Sequence, residues 1–97
     1  PNEVKRLLDA AEIRTLGKLI GLERVIVREG WARLSFREGV VPKIANLEGP
    51  LRERQVSMDV LRVHPLSIKL TREGFEPMIE VVVVTLSALC ASRDKAA

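Results

Sequence analysis

Between residues 23 and 36 two runs, ERVIVR and WARLSF, flank Glu29-Gly30 with an apolar residue at every second position (Val25, Val27; Ala32, Leu34, Phe36), and no other segment limits the fold as tightly. Period-two alternation marks a strand with one buried face, so the runs predict strands over 23–28 and 31–36 joined as a β-hairpin. A two-residue loop pairs Arg28 with Trp31, Val27 with Ala32, Ile26 with Arg33 and Val25 with Leu34. Val25, Val27, Ala32, Leu34 and Phe36 then share one face, and Ile26, Arg28, Trp31, Arg33 and Ser35 share the other. One face is wholly apolar, which a one-residue slip would destroy, so burial selects this register. Glu29 fits the turn poorly, because a type I′ turn needs positive φ there; a longer loop is the alternative.

The flanking segments supply helices and a second strand pair. Residues 2–20 predict a helix, with Asn2 as N-cap, Glu3 at the positive end of the dipole and Gly21 as a left-handed C-terminal cap. Val4, Leu7, Leu8, Ala11 and Leu19 form one apolar stripe; Ile13, Leu16 and Ile20 form another well round the helix. Both sides of its C-terminal half are therefore expected to be covered. Pro42 is expected at the first position of a shorter helix with Ile44, Leu47 and Leu51 buried, and Gly49-Pro50 is expected to kink or split it. Residues 61–63 and 66–71 predict strands around a His64-Pro65 turn, Leu66, Ile68 and Leu70 alternating with Ser67, Lys69 and Thr71. Residues 76 to about 90 are in conflict. Four consecutive valines favour a strand, whereas Pro77, the length and the Met78, Ile79, Val82, Leu86, Leu89 stripe favour a helix. Helix is the reading adopted, followed by a polar tail. The expected fold is α+β: a small antiparallel sheet of three to four strands packed against two to three helices.

Ninety-seven residues suit one domain spanning 1–97, and a hydrophobic share of 46% supports a modest core. Aromatic residues are limited to Trp31, Phe36 and Phe75, so that core is aliphatic. Sixteen basic and thirteen acidic residues give a net charge of +3, with the signs interleaved rather than blocked. Such a pattern fits a solvated surface better than a nucleic-acid arm. With Cys90 the single cysteine, no internal disulfide can form, and a reducing, cytoplasmic setting is expected. No segment has the form of a signal peptide or membrane span, and the start at Pro1 fits a piece of a longer protein.

The inventory for chemistry is thin. His64 is the single histidine and reads as a turn residue; Cys90 reads as a core thiol. Together they fall short of the three or four ligands of a zinc site. Neither GxGxxG nor GxxxxGK[ST] occurs, so no nucleotide or other cofactor site is expected. Glu-Gly recurs at 29–30, 38–39, 48–49 and 73–74, each read as a turn. No catalytic residues are assigned, and the domain alone is expected not to be an enzyme.

The run PNEVKRLLDAAEIRTLGKLIGLERV resembles the start of the C-terminal domain of bacterial transcription-repair coupling factors (Mfd). Pro1, Leu7, Leu8, Ala11, Arg14, Leu16, Gly21 and Leu22 carry the likeness. The later order of elements is similar too: hairpin, proline-started helix, short strand pair, final helix. The acidic segment that precedes the proline in that family is absent, and LEGPLRERQ breaks a helix that is usually smoother. The resemblance implies a C-terminal regulatory domain of an ATP-driven DNA translocase, whose ATP-binding motifs lie in other domains. It implies an autoinhibitory clamp that packs on the parent's UvrB-like module and masks the surface that UvrA uses. Through the parent, the partners would be UvrA, RNA polymerase and DNA; the isolated domain would be a monomer.

Ile26, Arg28, Trp31 and Arg33 form the candidate docking surface, since Trp and Arg are enriched at binding hot spots. Two readings of that face stand: a docking patch, or a face covered by a helix with Trp31 in the core. A second function also stands, an accessory nucleic-acid-binding domain using Arg24, Arg28, Arg33 and Arg37.

Overall fold

The computed structural model describes residues 2–63 and 65–96, with side-chain detail for 10–63 and 65–90. Along the chain run α1 (Asn2–Ile20), β1 (Leu22–Val27), β2 (Trp31–Phe36), a 3-10 turn (Ile44–Leu47), α2 (Glu48–Glu53), β3 (Val56–Val63), β4 (Leu66–Arg72) and α3 (Met78–Ala96). The strands form one antiparallel sheet in the order β1-β2-β4-β3. This is the expected α+β architecture.

The hairpin has the register that burial selects: Val25 faces Leu34, Ile26 faces Arg33 and Val27 faces Ala32. The turn closes with the Arg28 amide donating to the Trp31 carbonyl at 2.8 Å. Neither Glu29 nor Gly30 adopts positive φ, so the turn is not type I′. The Gly30 carbonyl instead accepts from the Arg72 amide at 2.8 Å, tying the turn to the next strand over. β4 lies between β2 and β3, extending the apolar face in rows: Val25, Leu34, Ile68 and Val60, then Val27, Ala32, Leu70 and Met58. β3 begins five residues earlier than expected, at Val56. The Val56, Met58, Val60 alternation carries that signal; Gln55, at φ 57°, ends α2 and turns the chain into it.

α3 resolves the conflict over the valine run in favour of helix. Met78, Val81, Val82, Thr85, Leu86 and Leu89 are buried, and the Thr85 hydroxyl donates to the Val81 carbonyl at 2.8 Å. A β-branched residue costs a helix a few tenths of a kcal/mol, whereas burying its side chain returns about 1.5 kcal/mol or more. Burial wins. The helix runs on to Ala96, where a polar tail was expected.

α1 corrects the expectation of two covered sides. Ile13, Gly17 and Ile20 are buried with Leu16 half-buried, a spacing of i, i+3, i+4, i+7. Ala11 and Leu19 face outward, Leu19 at 55% exposure. The side chains of Val4, Leu7 and Leu8, and the N-cap role of Asn2, lie outside the described residues. The unexpected member is Gly17: a Cβ there would meet Leu22 Cδ2 at 3.2 Å, so its absence lets β1 come close.

Three smaller corrections concern the turns. Pro42 does not open a helix; it precedes the 3-10 turn by two residues and accepts from the Ile44 amide. The split between the short helices falls at Leu47/Glu48, so Gly49-Pro50 lies inside the first turn of α2, where a proline's missing N–H has no partner to lose. Glu48-Gly49 is therefore the start of a helix, unlike the other Glu-Gly pairs. The His64 turn falls outside the described residues, between Val63 and Leu66, which pair directly.

Leu34 is fully buried at the centre of the sheet, so Leu34→Ala should cost roughly 2–5 kcal/mol in a denaturant melt. Gly21 (φ +77°) and Gly39 (φ +86°) both have left-handed backbones, which disfavour a side chain by about 1–2 kcal/mol. At Gly21 a Cβ would also approach Val40 Cγ2 to 2.7 Å, whereas nothing lies near Gly39. Gly21→Ala should therefore lower the melting temperature more than Gly39→Ala.

Candidate docking surface

The helices and the apolar side chains of the sheet form one buried cluster on one side of the strands. The strand alternation that sends Leu34, Ile68 and Leu70 into that cluster sends their neighbours to the opposite side. There the cross-strand rows are Arg24, Ser35, Ser67 and Arg62; then Ile26, Arg33, Lys69 and Asp59; then Trp31, Thr71 and Ser57. Arg24, Arg33, Ser57, Asp59 and Arg62 are exposed, and Ile26, Trp31, Ser35, Lys69 and Thr71 are half-buried. Trp31 is thus not a core residue.

All four candidate residues fall on this open face, with Arg28 beside Trp31 at the hairpin end. The face also contains residues that the hairpin alone could not reveal. Lys69, the diagonal neighbour of Trp31 on β4, holds its ammonium 5.3 Å from the ring centroid. Such a contact is worth about 0.5–1 kcal/mol at an exposed site and links the hairpin to β4. Arg33 Nε donates to Ser67 Oγ at 3.0 Å, which fixes the guanidinium across two strands. Ser67 is only 4% exposed, so its hydroxyl is satisfied under the arginine rather than by bulk water. The Ser67, Lys69, Thr71 alternation is plain in the sequence. That it lies beside the hairpin rather than in a separate ribbon depends on strand order.

Arg37 departs from the group. It follows β2, donates its amide to the Gly21 carbonyl at 2.9 Å and lines a groove at the end of α1, away from the open face.

The face offers positive charge, hydroxyls and one aromatic plate, which together suit an anionic or polar partner surface. At about 4.8 Å between strands and 3.4 Å per residue it measures roughly 15 by 15–20 Å. A stable interface between free proteins buries about 800 Å² per partner, roughly three times that area. Among the described residues, no three His, Cys, Asp or Glu side chains are grouped to hold a metal ion, and no helix is long and apolar enough to cross a membrane. Cys90 is half-buried, its thiol donating to the Leu16 carbonyl at 3.8 Å. The chain matches no known family model, no curated protein and no solved structure.

A double-mutant cycle on Trp31→Ala and Lys69→Ala should return a coupling of about 0.5–1 kcal/mol, the size of an exposed cation–π contact. A coupling near zero in a chemical denaturation series would mean that the two side chains do not act together.

Proposed function

We propose that the domain is a non-catalytic regulatory clamp, docking in cis through the open face of its sheet onto another module of a longer protein. The observation that carries this reading is the one-sided covering of the sheet, which leaves Ile26, Arg28, Trp31 and Arg33 together on an uncovered face. Its modest area supports a tethered partner. A linker supplies an effective concentration in the millimolar range, so a surface too small for stable association between free proteins can still close. The resemblance of the first helix and hairpin to transcription-repair coupling factors supports a specific partner, the UvrB-like module, and a specific consequence, masking of the UvrA-binding surface. ATP binding and DNA translocation would belong to other domains of that parent.

A second reading has its own support. Arg24, Arg28, Arg33, Arg62 and Lys69 outnumber the carboxylates described on the open face, Asp59 and, at its edge, Glu73, which accepts from the Ser57 hydroxyl at 3.1 Å. An accessory nucleic-acid-binding role would use them against phosphates. Neutralising that many would give a log–log salt slope of about −3.5 on single strands and about −4.5 on duplex.

The test compares UvrA binding by the parent with and without residues 1–97, in the same salt. Removing a clamp shifts the parent toward its open state, and coupling of about 1–3 kcal/mol corresponds to a gain of roughly 5- to 150-fold in affinity. Trp31→Ala in the intact parent should recover part of that gain while the domain stays folded. Equal affinities would overturn the clamp. Tight binding of a labelled oligonucleotide with the steep slope above, abolished by Arg33→Glu, would favour the second reading.

A further inference from the structure

A second surface lies at the end of α1, away from the open sheet face. After β2 the chain folds back over the end of α1: the Arg37 amide donates to the Gly21 carbonyl, and the Val40 amide to the Arg37 carbonyl at 3.1 Å. Val40 packs against Gly21, whose missing side chain makes the space. The result is a groove of about 520 Å³ between the last turn of α1, residues 37–43 and Leu89 of α3.

Its chemistry is lopsided. Val41 and Leu19 stand on its walls at 85% and 55% exposure, the first among the most exposed aliphatic side chains described. Lys18, Arg37 and Lys43 line it as well, and among the described residues no acidic side chain does. All three cations are exposed, and among the described residues no ion pair engages them. The C-terminal end of α1 contributes about half a negative charge, which three full positive charges outweigh.

We infer that this groove docks an acidic peptide segment of a protein partner, an apolar side chain seated between Val41 and Leu19 and flanking carboxylates on the three cations. Charge complementarity selects an anionic occupant, and the exposed walls select a peptide over a small amphiphile. A small ligand is bound by burying about 70–90% of its surface, which needs enclosure that this open groove lacks. A peptide lying along it would cover Val41 and Leu19 itself. The inference does not depend on the clamp reading, because it uses none of the open-face residues.

The test uses the 97-residue chain, a fluorescein-labelled peptide DELFED and the basic counterpart KKLFKK, read by anisotropy and by amide chemical shifts. The acidic peptide should bind in the micromolar to millimolar range typical of small charged interfaces, shifting amides in 18–21 and 37–43. Arg37→Glu and Lys43→Glu, both at exposed positions, should each weaken it by about tenfold. Val41→Asp should do the same, while Arg33→Glu on the sheet should change it less than about twofold. Failure of the acidic peptide to bind, equal binding of the basic one, or shifts confined to the sheet would overturn the inference. So would stronger occupation of the same amides by decanoate, or shifts that follow protein concentration alone, which would assign the groove to a lipid-like ligand or to a second copy.

Discussion

The sheet is covered on one side only, and nearly every other property of the domain depends on that packing. Leu34, Ile68 and Leu70 lie fully buried at the middle of the β2–β4 pair, in the same cluster as Leu47, Leu51, Val81, Val82 and Leu86 from the helical layer. Each such side chain contributes about 1.5–3 kcal/mol of transfer free energy, against backbone ordering that costs about 1–2 kcal/mol per residue. With so few aromatic residues, that margin rests on how completely the aliphatic side chains interlock. It also explains why a run of valines becomes a helix: as a helix beside α1, the segment buries Val81, Val82, Leu86 and Leu89 in the layer over the sheet.

Two-layer packing leaves the outer face of the sheet to water, and there the domain holds its polar side chains in a fixed arrangement. Lys69 over Trp31 and Arg33 on Ser67 each cross from the hairpin to β4. They cost little to keep in place, because the backbone pairing beneath them is already set. Pre-arranged side chains lose less freedom on docking, which favours affinity without enlarging the contact. The groove beyond α1 is different in kind. It is built from a loop wrapped on a glycine cap, and it joins exposed aliphatic groups to the positive charge of Lys18, Arg37 and Lys43.

The positions read as a candidate site were legible because a hairpin is a local object. Its register follows from the demand that one face be apolar, and that demand was satisfied by Val25, Val27, Ala32, Leu34 and Phe36 alone. Lys69, Ser67 and Arg62 were not legible as parts of the same surface, since their place depends on β4 inserting between β2 and β3. The α1 stripe was misjudged for a related reason. Two apolar stripes were available, and only the position of α3 and β1 decides that Ile13 and Ile20 face inward while Leu19 does not. Gly17 gave no periodic signal at all, because its role is the absence of a side chain where Leu22 arrives.

By itself the sequence determined the local objects: the hairpin and its register, the helical first segment with its left-handed Gly21 cap, and an inventory holding one histidine and one cysteine. These follow from periodicity, φ preferences and an inventory of side chains, all of which are written along the chain. Only the tertiary structure decided the strand order, which helix face is buried, and that the outer face of the sheet is open. Those choices are made by which surfaces can bury each other, a comparison between distant segments that no local propensity of about a kcal/mol can outweigh.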